Sequence, residues 1–126
     1  LAESLEFGER VQFLPAMSAR EAFRLGRLMV VPSRAESMPY IVLEALAAGK
    51  SLIATKVGGI PEIFGPSSPA LCMPSADSLA AAMEQALADE SAWRKLMPGR
   101  EALVARFSLG AMAWNISRIY QECLSP

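Results

Sequence analysis

The sequence contains no histidine. That removes the commonest general base and the commonest metal ligand, and with them His-centred triads and most zinc sites. Cysteine is nearly absent. Cys72 and Cys123 lie far apart, neither beside a metal-like or redox-like neighbour, and the expectation is that both are reduced and packed. No apolar run approaches the roughly 18 residues that a bilayer span requires. An excess of one charge is missing as well. Twelve basic against thirteen acidic side chains leave a net charge of −1, which gives no broad attraction for nucleic acid or anionic lipid. The opening, LAESLEFGER, has neither an initiator Met nor the basic n-region of a signal peptide. It resembles the end of a helix, and the expectation is a piece of a longer chain.

What is present describes a globular domain. The apolar fraction of 52% and charged fraction of 20% exclude a disordered chain. A single domain of this length can bury about two-thirds of its unfolded surface, so a real core is possible.

Strand-like and helix-like stretches alternate along the chain. Arg10 to Leu14 is predicted as a short strand. Ser18, with Glu21 three residues on, forms a capping box that opens a helix through about Arg27. Leu28 to Pro32 is a continuous apolar strand, as expected of one covered on both faces. A helix then runs to Gly49, a C-cap glycine. Ser51 to Thr55 is a third buried strand. Gly58-Gly59 predicts a tight turn, and Pro61 opens a short helix through about Phe64. Ala70 to Met73 is a fourth strand. Ser75 or Asp77 caps a helix to about Ala88. Another helix runs from Asp89 to about Val104, interrupted near Pro98-Gly99. A last helix, Ser108 to Cys123, carries Leu109, Met112, Ala113, Ile116, Ile119, Tyr120 and Cys123 on one stripe. The alternation predicts an α/β fold with a parallel sheet flanked by helices. Ligands of such sheets bind at the C-terminal strand ends. Here those ends are Leu14 to Met17, Ser33 to Pro39 and Thr55 to Gly59, all expected on one edge.

The segment ESMPYIVLEALAAGK, Glu36 to Lys50, carries the chemistry. Its helix is apolar nearly all round, which predicts burial on every side. Glu44 nevertheless sits in its second turn, and Glu36 lies just before its start. A carboxylate inside such a helix needs hydrogen-bond donors, or it costs several kcal/mol. Ligand hydroxyls can supply them. Pro39 marks the first turn, so the free N–H groups near Met38, Tyr40 and Ile41 face whatever lies beyond the helix and attract an anion. An anion cradle beside two hydroxyl-binding carboxylates suits a sugar nucleotide. Other features have plainer explanations: Arg34 as a solvated arginine, Trp93 and Trp114 as core residues, the methionines as gap filling.

Glu36, seven intervening residues and Glu44, with Met38-Pro39 behind the first acid, resemble the Glu-x7-Glu motif of retaining glycosyltransferases of the GT-B fold, family-four type. The flanks agree: Val31-Pro-Ser33, Glu44-Ala-Leu-Ala-Ala-Gly49, Ile53-Ala-Thr55, Val57-Gly-Gly-Ile-Pro-Glu62 and Phe107-Ser108. Together they cover nearly the whole chain. The resemblance implies that residues 1–126 are the later two-thirds of a C-terminal nucleotide-sugar-binding domain with a Rossmann-like sheet. It implies transfer of a sugar from a nucleotide-diphosphate donor with retention, without cofactor or metal. Glu36 would lie at the reacting sugar as the catalytic residue. Ser37, Met38, Pro39, Tyr40 and Ile41 would hold sugar hydroxyls and the distal phosphate through the backbone, and Glu44 would accept from the ribose hydroxyls. A sugar or lipid-linked acceptor would be bound mainly by an N-terminal domain outside this chain. The setting implied is cytoplasmic, at the inner face of the membrane, with polysaccharide biosynthesis as the pathway class.

Ser37 stands where the family commonly has Gly, and Pro15 where Gly usually follows Phe13-Leu14. The Gly-rich loop and basic diphosphate ligands of the family are not in this sequence. Without them, the alternative is a non-catalytic sugar-nucleotide-binding or interaction module of the same fold. A receiver-like signalling domain is disfavoured, since neither an acidic cluster after the first strand nor a Lys after the last is present.

Overall fold

The structure is a computed structural model that describes residues 7–124. The helix end expected in the opening segment falls largely on residues 1–6, outside the described residues. Three strands form one parallel sheet in the order β1-β2-β3: Leu28–Val31, Ser51–Thr55 and Leu71–Cys72. Helices connect them in the right sense for parallel pairing: α1, Ala19–Leu25, before β1; α2, Tyr40–Ala47, between β1 and β2; and α3, Ile60–Phe64, between β2 and β3. Four helices follow: α4, Ala76–Ala88; α5, Glu90–Arg94; α6, Arg100–Phe107; and α7, Leu109–Leu124.

Local chemistry sets the boundaries. Ser18 and Glu21 form the expected capping box at α1, with the Ser18 hydroxyl donating to Glu21 Oε2 at 2.6 Å and the Glu21 amide donating back to Ser18 Oγ at 3.3 Å. Gly49 takes φ +72° just past α2, a left-handed conformation that suits glycine, and its N–H donates to the Leu46 carbonyl at 2.9 Å. Ser75 and Asp89 cap α4 and α5 with side-chain acceptors.

β2 is the buried centre, and its alternating side chains feed two cores. Leu52 and Ala54 join Val31, Val42, Ala45, Leu46, Ile60, Ile63 and Leu103, which puts α2, α3 and α6 on one face. Ile53 joins Ala70, Cys72, Ala82, Ala86 and Trp93, which puts α4 and α5 on the other. The Trp93 indole N–H donates to the Leu52 carbonyl at 2.9 Å, so the ring is both core and clasp. Burial pushes the Cys72 thiol pKa up.

Several expectations are corrected. Arg10 to Leu14 is not a strand. Arg10 ends a short 3-10 turn, Gly8–Arg10, and residues 11–18 run without regular structure, with Phe13 83% exposed. A strand needs a neighbour for its N–H and C=O groups, and none of the described strands offers one; the sheet edge is β1. That edge position also explains why β1 is only half-buried along most of its length. α7 forms, but it packs along α6 with no fully buried residue, so the predicted apolar stripe faces outward. Trp114 is exposed rather than core, with the Arg118 guanidinium 5.6 Å from its ring centroid, and Cys123 is exposed rather than packed. No described helix is long and apolar enough to cross a membrane.

Candidate functional site at the C-terminal edge of the sheet

The C-terminal ends of β1 and β2 meet in one corner. Between β1 and α2 the chain runs through residues 32–39, and between β2 and α3 through residues 56–59. The two loops are fastened together. Gly59 N–H donates to the Ser37 carbonyl at 2.8 Å. Gly58 has φ +52°, and a Cβ there would lie 1.8 Å from the Glu36 carbonyl oxygen. Only glycine satisfies both the backbone angle and the approach. The tight turn expected of Gly58-Gly59 therefore has a second purpose: it is the bed on which the Glu36 peptide rests. Thr55, fully buried at the end of β2, donates its hydroxyl to the Ser33 carbonyl at 2.5 Å.

Glu36 is half-buried in this corner. Its Oε1 accepts a hydrogen bond from the Ser33 hydroxyl at 2.6 Å, within the range of a charge-assisted bond. Two of the three expected strand ends, Ser33 to Pro39 and Thr55 to Gly59, are thus joined. The third, Leu14 to Met17, follows no strand, and Leu14 is exposed.

α2 begins beside Glu36. Pro39 is buried and serves as the N-cap rather than the first turn, and its carbonyl accepts from the Val42 amide at 3.0 Å. Tyr40 and Ile41 open the helix, so their N–H groups have no partner within it. Both side chains are exposed, at 68% and 38%. Ser37 is exposed and Met38 packs against the core under α2. The helix N-terminus is thus open at its end and anchored beneath.

Glu44 is placed differently. α2 is not buried all round: Val42, Ala45 and Leu46 face the core, whereas Tyr40, Ile41, Glu44, Ala47 and Ala48 form an exposed stripe. Glu44 therefore bears no burial cost, contrary to expectation. It lines an open groove of about 660 Å³ between α1 and α2, with Ala19, Arg20, Phe23, Arg24 and Lys50 among the walls. Its carboxylate has no hydrogen bond or ion pair among the described residues. The structure brings Glu36 together with Ser33, Thr55, Gly58 and Gly59, and leaves Glu44 one helical face away. Ser33 and Thr55 were given no role of their own by the sequence. They stood only in the motif's flanks, Val31-Pro-Ser33 and Ile53-Ala-Thr55, with Ser33 two residues beyond β1 and Thr55 the last residue of β2.

Comparison with known proteins agrees with the motif. D-inositol 3-phosphate glycosyltransferase of Mycobacterium sp. (strain KMS) is 42% identical over 64 residues, 48% of this chain and 15% of that protein. N-acetyl-alpha-D-glucosaminyl L-malate synthase of Bacillus anthracis is 30% identical over 128 residues, 98% of this chain and 34% of that protein. The structure of sucrose-phosphate synthase from Thermosynechococcus elongatus superposes with a TM-score of 0.80 at 31% identity, covering 97% of this chain and 32% of that one. The chain thus spans about a third, or less, of these relatives. The model of the family described as glycosyl transferases group 1 matches residues 1–101. The chain belongs to that family, with the GT-B fold.

Proposed function

We propose that this chain supplies the donor-binding half-site of a retaining glycosyltransferase, which moves a sugar from a nucleotide-diphosphate donor to an acceptor bound mainly by another domain. The observation that carries the reading is the corner itself. A half-buried carboxylate, Glu36, is fixed by Ser33 next to the open N-terminus of α2 and a glycine pair. Phosphate oxygens suit the amides of Tyr40 and Ile41, where the helix dipole adds to the hydrogen bonds. A sugar extending from that phosphate toward the glycine turn meets Glu36, which orients a sugar hydroxyl and stabilises charge that develops at the reacting centre. Glu44, exposed and unpaired, accepts from the ribose hydroxyls on the outer side of the helix. Ser37, Met38 and Pro39 contribute through the backbone between the two.

A panel of nucleotide sugars offered to the complete enzyme tests this, with the anomeric configuration of the product read by NMR. Transfer with retention is the expected result. Transfer with inversion removes the retaining assignment, and donor binding without transfer identifies a non-catalytic module. The isolated chain is expected to bind donor weakly and transfer nothing. A helix terminus alone contributes only about 0.3–1 kcal/mol.

A further inference from the structure

The Glu36 carboxylate has one hydrogen-bond partner among the described residues, the Ser33 hydroxyl at 2.6 Å on Oε1. Ser33 is itself held: its carbonyl accepts from Thr55 Oγ1, and Thr55 is the one buried polar side chain of the described core. The same hydroxyl lies 3.4 Å from the Val31 carbonyl, so the Ser33 bond is the shorter of its two contacts. On the far side of Glu36, the Ser37 carbonyl is tied to Gly59 N–H, and the Glu36 carbonyl itself rests on Gly58. The peptide of Glu36 is therefore fastened before, at and after the residue, while its side chain has a single fastening. A glutamate has three side-chain torsions, and a carboxylate free to sample them is a poor fit to a developing transition state.

We infer that Ser33 is a positioning residue for Glu36, and that buried Thr55 positions Ser33. The Ser33 hydroxyl takes Oε1 and leaves Oε2 to face the donor sugar. This deepens the donor-site reading and rests on it. A purely local role for the same bond, stabilising the turn between residues 33 and 36, predicts a different outcome: stability moves and turnover follows only as the fold is lost.

The test uses the complete enzyme and compares Ser33→Ala with Ser33→Thr, which keeps the hydroxyl. Loss of one hydrogen bond to a charged group is expected to lower kcat by about ten- to hundredfold. The donor KM should stay within about twofold, because the interaction is made in the transition state rather than in ground-state binding. The Ser33→Thr variant should recover most of kcat, and the Tm of Ser33→Ala should remain near that of the parent. Unchanged kcat in Ser33→Ala, or a loss that Ser33→Thr does not relieve, overturns the assignment. If Ser33→Ala folds poorly, Thr55→Val and Thr55→Ser decide instead: the first loses the hydroxyl and should lose turnover, the second keeps it. Equal turnover in that pair also overturns the relay. A parent enzyme that transfers no sugar, or a Glu36→Ala variant with full turnover, removes the donor-site reading itself. Impaired Glu36→Ala beside an unaffected Ser33→Ala removes only the role of Ser33.

Discussion

Glu36 and Glu44 belong to one motif, yet the protein treats them in opposite ways. Glu36 is half-buried, with its backbone wedged against Gly58 and its carboxylate held by Ser33. Glu44 stands on the exposed stripe of α2, at the edge of an open groove, with no partner among the described residues. A group whose orientation matters to a reaction is worth fixing in advance, because rearrangement during the reaction then costs nothing extra. A group that only grips a remote part of a substrate can remain solvated until the substrate arrives. Under the proposed donor-site reading, turnover falls to the fastened acid and affinity to the free one.

The most severe test of that division is removal of Glu36. In the complete enzyme, Glu36→Ala is expected to lower kcat by about 10²–10³-fold with donor affinity little changed. A variant that keeps turnover but loses affinity breaks the contrast. Next comes the bed beneath Glu36. Gly58→Ala places a methyl where the Glu36 carbonyl now sits, in a left-handed backbone conformation. It should cost about 2 kcal/mol or more in stability and reduce kcat as well, as thermal unfolding and steady-state rates will show. An enzyme with parental Tm and kcat contradicts the close packing of the two loops. Glu44→Ala, by contrast, should leave Tm unchanged and weaken donor binding by about 1.5–3 kcal/mol, measured by calorimetry. Unaltered donor affinity removes Glu44 from the site. The smallest effect is expected at the start of α1: Ser18→Ala removes the N-cap of that helix and should cost about 1 kcal/mol in Tm-derived stability, without changing kcat. The Ser18 side chain, and then its backbone N–H, lower the Glu21 pKa. That contribution is present above the ordinary carboxylate range and fades as pH falls through the lowered value. The Ser18→Ala variant should therefore show a weaker acid dependence of Tm; an unchanged acid dependence would mean that the cap contributes nothing there.

Much of the fold was legible because its signals are local. Continuous apolar runs located Leu28–Val31 and Ser51–Thr55, and Ser18 with Glu21 marked the start of α1. Arg10 to Leu14 failed for a non-local reason: its residues suit a strand, but a parallel strand exists only beside a neighbour. The face of α2 failed likewise. Tyr40, Ile41, Ala47 and Ala48 look like core residues, but which face is covered depends on elements distant in sequence. Glu36 and Glu44 stood out as carboxylates beside and inside an apolar helix, and through the resemblance to the Glu-x7-Glu motif. The support for Glu36 was not, since the bond from Thr55 to Ser33 crosses 22 positions and the Gly58 contact joins two separate loops.

The central claim is that the two glutamates divide one donor molecule between them. The structure of the complete enzyme with an intact nucleotide-diphosphate sugar addresses it directly. The expected result is Glu36 Oε2 hydrogen-bonded to a hydroxyl of the sugar, with Oε1 still on Ser33, and Glu44 hydrogen-bonded to the ribose. A donor whose sugar lies away from the Ser33 to Gly59 corner, or whose ribose makes no contact with Glu44, would contradict it.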